Sequence, residues 1–485
     1  MAPSEKNIGI VWFRQDLRLA DNPALSEACR ECDAVIPLFI ADSMEQSVSE
    51  LGEASSVWLH HSLSDLQESL KSKNSELYLA AGDSLAVLQS LIEKTGANRL
   101  FWNRCYDPKT IARDTEIKQT LSHCQPRTFN GLLLQEPWQN LKGDGTPYRV
   151  YTPYWRAAAT KFHESPDLLK PSKAPRSIPA LDKKTSAKLS DMCSVSALGL
   201  LPDKDWHNAL IDYWSVGETA AMKQLKRFLK NAVSDYGEAR NLPAIEGTSL
   251  MSPHLHFGEI SPRQILSTLT NGHSIQALPD DETTFAKEIV WREFAYSLLF
   301  HFPHMPDKPL DKRFAEFPWR KKTDAHLKAW QQGRTGVPIV DAGMRQLYAT
   351  GWMHNRVRMI VGSYLVKNLL IPWQAGEQWF RDTLVDADIA SNSMGWQWVS
   401  GCGADAAPFF RVFNPVLQGE KFDKNGDYVT EWVPELAGVN PKFIHKPWEL
   451  DEQSRQLLAY PEPLVDLKVT RLQALDAFST IKGTK

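Results

Sequence analysis

The chain has 485 residues, more than one hydrophobic core usually organises, so two domains are expected. Its polar start is not a secretory leader, and no apolar run approaches the ~20 residues of a membrane helix, which excludes an integral membrane protein of helical type. A net charge of −3 excludes a protein that coats nucleic acid by bulk charge, so such a partner would need a local basic patch.

In chain order, apolar runs at 8–13, 34–40, 77–81 and 99–102 alternate with helical spacing at 22–32, 55–71, 84–95 and 108–124. Strands separated by helices predict βαβ units and a doubly wound parallel sheet buried on both faces, an α/β domain over residues 1–131. Residues 132–205 are rich in proline, and 170–188 is basic and polar, which reads as a connector with a solvated face. From 206 to 475 the periodicity is helical only, at 217–233, 261–270, 281–300, 324–332, 338–349, 355–370 and 373–384, which predicts an all-α domain before a short tail at 476–485. Six scattered cysteines fit a reducing cytoplasm and no disulfide framework.

Some patterns carry no chemistry. Gly401-Cys402-Gly403-Ala404-Asp405-Ala406 fits a dinucleotide fingerprint but lacks the preceding strand, and the first βα turn, Phe13 to Arg18, has no glycine. Cys29 and Cys32 form a CxxC without a second ligand pair, and His254 and His256 lack acidic companions at metal spacing.

Other stretches do suggest chemistry, each with a plainer alternative. Thr248, Ser249 and Ser252 follow Gly247 in a turn that can offer hydroxyls and N–H groups to a phosphate, or simply cap a helix. Asp386, Asp388 and Asn392 can serve acid–base work or bind a ring or ribose edge, or cap. Glu288, Trp291 and Arg292 fall at i, i+3 and i+4 on one helix face, suited to a stacked base and its phosphate, or to a salt-bridged amphipathic helix. Asn355, Arg356, Arg358 and Met359 open another helix, and Trp396 and Trp398 precede Phe409, Phe410 and Arg411, aromatics interleaved with cations.

In this order, from Trp12-Phe13-Arg14-Gln15-Asp16-Leu17-Arg18 to Gln418-Gly419-Glu420-Lys421-Phe422-Asp423, the segments resemble the photolyase/cryptochrome family over nearly the whole chain. The resemblance implies a U-shaped FAD in the helical domain, contacted by Tyr236, by Thr248-Ser249-Leu250-Met251-Ser252, and by Arg358, Asp386-Ala387-Asp388 and Asn392. Leu250 stands where some relatives have arginine, so that phosphate contact is expected to be absent. Asn392 matches the position facing the flavin nitrogen that gains or loses a proton; photolyases have asparagine there, plant cryptochromes aspartate and insect ones cysteine. Asn355 and Met359 replace the histidines of (6-4) photolyases, which implies cyclobutane pyrimidine dimers as the lesion. Trp291 and Trp398 match the walls that grip the flipped-out dimer, and Glu288 the carboxyl that hydrogen-bonds a thymine carbonyl. Arg240, Arg292, Arg356, Arg411 and Gln418 match DNA-contacting positions, while Trp319, Trp373 and Trp396 match the tryptophan chain that reduces photo-excited oxidised flavin.

The implied function is light-driven dimer repair on damaged DNA by a monomeric cytoplasmic enzyme, with an electron lent by excited reduced FAD and returned. A second, antenna chromophore in the N-terminal domain is implied, methenyltetrahydrofolate ahead of an 8-hydroxy-deazaflavin, although Lys109 and Thr110 replace the Asn-Glu that grips folate in some relatives. Trp58 is a candidate for stacking on a pterin, with core packing as the alternative. The rival readings are a cryptochrome that signals without repair and a dark flavin oxidoreductase.

Overall fold

The computed structural model describes residues 6–42, 51–406 and 411–482. Strands β1 (Ile8–Phe13), β2 (Ala34–Asp42), β3 (Tyr78–Gly82), β4 (Arg99–Asn103) and β5 (Pro126–Phe129) form one parallel sheet in the order β3-β2-β1-β4-β5. Helices α1 (Pro23–Glu31), α2 (Glu53–Lys71), α3 (Ser84–Thr95) and α4 (Pro108–Thr120) alternate with them. All nine residues of β2 are buried, as a strand covered on both faces requires. Asn22, Asp83 and Asp107 start α1, α3 and α4 by accepting the N–H of Leu25, Ala86 and Thr110, and proline follows at the first turn of α1 and α4.

Strand order reverses between β1 and β4, the usual ligand crevice of an open α/β sheet. Here the protein's own polar side chains meet there: Asn103 Nδ2 donates to Asp16 Oδ2 (2.6 Å) and Asn22 Oδ1 (2.8 Å), and Arg14 Nη1 donates to Asp114 (2.8 Å). That network explains a first βα turn without glycine.

The remaining helices are α5 (Tyr151–Glu164), α6 (Lys183–Ala187), α7 (Trp206–Tyr213), α8 (Glu218–Asn231), α9 (Tyr236–Ala239), α10 (Ser252–His256), α11 (Pro262–Thr270) and α12 (Asp280–His301), then α13 (Asp324–Gln331), α14 (Pro338–Thr350), α15 (Asn355–Ser363), α16 (Trp373–Thr383), α17 (Ile389–Ser400), α18 (Pro415–Phe422), α19 (Asp427–Trp432), α20 (Glu452–Leu457) and α21 (Leu467–Ile481). Among the described residues no strand follows β5, and no helix is long and apolar enough to cross a membrane. The chain is thus an α/β domain followed by helices, as the periodicity predicts.

Several boundaries differ from expectation. β5 was not predicted, because Pro126-Arg127-Thr128-Phe129 is short, half-buried and lacks an apolar run. The helix expected over 355–370 ends at Ser363 and continues as one π-helical turn, Tyr364–Asn368. The expected tail from 476 begins inside α21, and residues 483–485 lie outside the described residues. The compact units are also not the expected domains. One comprises Met1–Tyr148, Thr152–Lys230 and Ser249–His301; the other comprises Arg149–Tyr151, Asn231–Thr248 and Phe302–Lys485. The first has Ile10, Trp12, Leu38, Leu100 and Trp102 in its sheet core, and the second centres on Val361, Leu365, Trp373, Phe380 and Trp396.

All six cysteines are free, and burial pushes the Cys29 and Cys32 thiols up to about 11, so neither is a ready thiolate. Trp58 is core: fully buried, stacked on Phe257 with centroids 6.1 Å apart, and donating from Nε1 to Glu259 (2.9 Å). His254 shares that carboxylate through Nδ1 at 2.5 Å, which accounts for it without a metal.

Candidate active site

In the first unit, α12 carries Glu288, Trp291 and Arg292. Trp291 is half-buried, and its indole meets Phe294 edge-on with centroids 5.6 Å apart, so packing holds the ring from one side. Arg292, expected at a DNA contact, is largely buried. Its side chain is 10% exposed, Nη1 donates to the Leu132 carbonyl (3.0 Å), and the guanidinium lies 4.9 Å from the Tyr296 ring. A cation buried to that degree braces the 132–135 segment rather than waiting in solvent for a phosphate.

Glu293 shares the bracing and was not singled out by sequence. Its Oε2 accepts the N–H of Leu134 (2.8 Å) and of Gln135 (3.2 Å), and burial pushes its carboxyl from the ordinary 4.5 up to about 7. Between those two values the unfolded chain has lost the proton that the folded chain keeps, so this group's contribution to stability falls as pH rises from about 4.5 to 7 and is level above. Glu293→Gln keeps an acceptor oxygen but no charge. Relative to wild type it is expected to gain stability across that window, by on the order of 2–3 kcal/mol, in denaturant titrations run at several pH values. A gain that does not change with pH would show that Glu293 is ionised throughout.

The same unit holds Ser249-Leu250-Met251-Ser252. The Ser249 carbonyl accepts from Gln224 Nε2 (3.1 Å), and Ser252 opens α10 exposed to solvent. Leu250 has φ +55°, a left-handed conformation that a branched aliphatic residue rarely adopts. The loop is therefore held against a local preference, a recurrent mark of ligand-shaping backbone.

The second unit gathers the remaining expected residues. Tyr236 is buried at the start of α9, and the Arg240 guanidinium lies 5.3 Å from its ring. A Cβ on Gly247 would stand 2.5 Å from the Ala239 carbonyl oxygen, so only glycine lets the chain leading to Thr248 pass this close to α9. His354 caps α15 with Nδ1 accepting the Arg356 N–H (3.2 Å). Burial, then Arg356, Arg358 and Arg240, press its pKa down to about 3, so this imidazole is neutral amid three guanidiniums. Arg356 is already engaged: Nη2 donates to Asn241 (2.5 Å), Nη1 approaches Met359 Sδ at 3.7 Å, and the Phe422 ring lies 4.4 Å away.

Arg358 is fixed from two sides. Nε donates to the Met353 carbonyl (2.7 Å), and Nη2 donates to both oxygens of Asp386 (3.0 and 2.9 Å). Asp388 caps α17 by accepting the Ser391 N–H (2.8 Å). One turn on, Asn392 Nδ2 donates to the Glu377 carbonyl (3.1 Å) and to its Oε1 (2.9 Å). This sets which way the amide faces. Its Oδ1 has no partner among the described residues and is an oriented acceptor. Glu377, 3% exposed and bonded by Arg381 Nη2 (2.6 Å), escaped the sequence reading because Glu377 and Arg381 look like a surface i, i+4 pair.

Trp373 and Trp396 are buried in the core of this unit and Trp319 packs against it half-buried, a gradient from interior to surface. Trp396 stands 4.9 Å from Phe380 and 6.2 Å from Trp330, both nearly edge-on. A Cβ on Gly376 would come within 2.1 Å of the Trp396 ring. Trp398 is half-buried and donates from Nε1 to the Asp405 carbonyl (3.1 Å). Asn355 and Arg411 are exposed, Gln418 is half-buried, and Phe409 and Phe410 lie outside the described residues.

Within the second unit, an oriented acceptor for a ring N–H at Asn392 and the Arg358–Asp386 pair fit the polar edge of a flavin. A family model described as the FAD binding domain of DNA photolyase matches residues 285–480, and one described as DNA photolyase matches residues 9–176. The chain is 48% identical to a deoxyribodipyrimidine photo-lyase of Agrobacterium fabrum, covering 98% of each. It is 38% identical to cryptochrome-2 of Arabidopsis thaliana, covering 95% of this chain and 77% of that one. The crystal structure of a bacterial class III photolyase from Agrobacterium tumefaciens aligns over 100% of both chains at TM-score 0.92 and 46% identity. The chain belongs to the photolyase/cryptochrome family, carries its FAD-binding domain, and matches the photo-lyase enzymes over nearly its full length.

Proposed function

We propose that the chain is a deoxyribodipyrimidine photo-lyase that uses light to split cyclobutane pyrimidine dimers in DNA. When bound, reduced FAD supplies the light-driven one-electron chemistry, with the electron returned after the cyclobutane bonds open. The protein contributes binding, orientation and a defined proton environment. The observation that carries the reading is Asn392: its amide is locked onto Glu377, and its oxygen is left as an acceptor for a flavin N–H. A carboxylate, as plant cryptochromes have there, could take up a proton; an amide cannot. Arg358 and Asp386 form a neutral pair suited to the polar edge of the flavin ring.

Trp291 offers an indole face for stacking on an extruded base, and Glu288 on the same helix offers a carboxyl for a pyrimidine carbonyl. Asn355 and Met359 supply no histidine acid of the kind (6-4) repair uses, which favours cyclobutane dimers. Arg240, half-buried beside the Tyr236 ring, and the exposed Arg411 are cations for the phosphates that flank the lesion. The second chromophore belongs to the same proposal, a folate ahead of a deazaflavin, with Trp58 removed from the candidates that would stack on it.

The test is direct. Reduced holoprotein is incubated in light and in darkness with DNA bearing either cyclobutane dimers or (6-4) products, and surviving lesions are counted. Loss of cyclobutane dimers alone, and in light alone, is expected. Dimers that survive illumination would favour the cryptochrome reading, and repair in darkness the oxidoreductase.

A further inference from the structure

We propose that the exposed face of α8 is an auxiliary contact surface for the sugar–phosphate backbone of the substrate DNA. The proposal rests on the reading of damaged DNA as substrate and adds a surface that no motif indicated. Lys223, Lys226 and Lys230 fall at i, i+3 and i+7, with Arg227 between them, so the four cations share one face of the helix, and all are exposed. The opposite face, Ala221, Leu225 and Phe228, is buried. Among the described residues none of the three lysines pairs with an acid. The one carboxylate of α8, Glu218, is turned inward, accepting the N–H of Leu19 (2.7 Å) and Ala20 (2.9 Å), so it does not neutralise the stripe.

Position gives the stripe its meaning. Phe228 packs on Phe285 of α12 with ring centroids 4.7 Å apart. Phe285 lies one helical turn before Glu288 and two before Trp291, the residues assigned to the lesion, and Lys226 and Lys230 bracket Phe228 in sequence. The cations are therefore carried on a helix that touches, through the Phe228–Phe285 ring contact, the one that carries the residues assigned to the lesion. Seven residues of helix rise about 10 Å, and phosphates along one strand recur at about 3.4 Å of helix axis, so the stripe can span about three of them. Lysine, a compact point charge on a flexible stem, suits contacts that hold backbone without reading sequence. In a chain of net charge −3, such a run is where a polyanion would be held.

The test compares wild-type holoprotein with Lys223→Gln/Lys226→Gln/Lys230→Gln, and with a control of equal charge loss, Lys173→Gln/Lys183→Gln/Lys184→Gln, on exposed lysines of the connector. Dissociation constants are measured in darkness for a duplex with one thymine dimer and for its undamaged counterpart, over a series of salt concentrations. The α8 variant is expected to flatten the plot of log affinity against log salt by about 1–3 units and to weaken both duplexes about tenfold at low salt, with their ratio unchanged. The control is expected to keep the wild-type slope, and both variants the wild-type melting temperature. An unchanged slope in the α8 variant, or an equal change in the control, overturns the proposal. Wild-type protein that does not distinguish the two duplexes would instead overturn the repair reading, while the slope on undamaged DNA would still report on α8.

Discussion

Replacing Trp291 with alanine is expected to weaken binding of dimer-containing DNA by roughly tenfold to a hundredfold, while binding to undamaged DNA changes little. Base-on-indole stacking contributes about 1–3 kcal/mol, and each 1.4 kcal/mol is about a factor of ten in affinity. The upper part of that range is expected here because the ring needs little ordering. Phe294 supports it edge-on, and the residue is already partly buried. Trp291→Phe retains a smaller stacking face and should fall between the two. Competition binding with damaged and undamaged oligonucleotides reads this directly. An alanine variant that keeps its preference for the damaged strand would remove Trp291 from the substrate-binding surface.

Asp386→Ala should have the largest effect on the flavin. The Asp386 side chain is 2% exposed and both its oxygens accept from Arg358, whose own side chain is 24% exposed. Deleting one partner of a buried ion pair costs about 3–5 kcal/mol because the other charge is left without its counter-ion. Partial exposure of Arg358 moves the expectation to about 2–4 kcal/mol. Arg358 remains tied to the Met353 carbonyl but loses the contact that aims its outer nitrogen. Purified Asp386→Ala is therefore expected to carry little FAD and to unfold at lower denaturant, while Asp386→Asn recovers part of both. Flavin absorbance per protein and a denaturant titration measure the two effects. A fully loaded, fully stable alanine variant would show that the pair serves neither.

What the sequence discloses and what it hides follow a physical line. β1 to β4 are built on short apolar runs because the centre of the sheet is covered on both faces, and such runs are visible in a single sequence. β5 hides because an edge strand of four half-buried residues needs no such run. The break after Ser363 hides for another reason. Tyr364, Leu365 and Val366 continue the apolar pattern, while the buried Lys367 reaches the distant Arg411 carbonyl. The site divides in the same way. Asp386, Asp388 and Asn392 are close in sequence and stand out, but the group that orients Asn392 is Glu377, fifteen residues away on another helix. Arg292 shows the converse: its spacing from Glu288 is legible, but its hydrogen bond to the Leu132 carbonyl, 160 residues away, is not.

Gly376 bears on how freely this chain can vary. The Trp396 indole occupies the volume that any side chain at 376 would need, and Phe380 and Trp330 close in on the same ring. Even a methyl group there would have to evict an aromatic system from a space that offers it no second seat. The least chemical residue on α16 thus decides where a whole indole can rest, and substitutions should be tolerated more readily at solvent-facing cations than at this bare stretch of backbone.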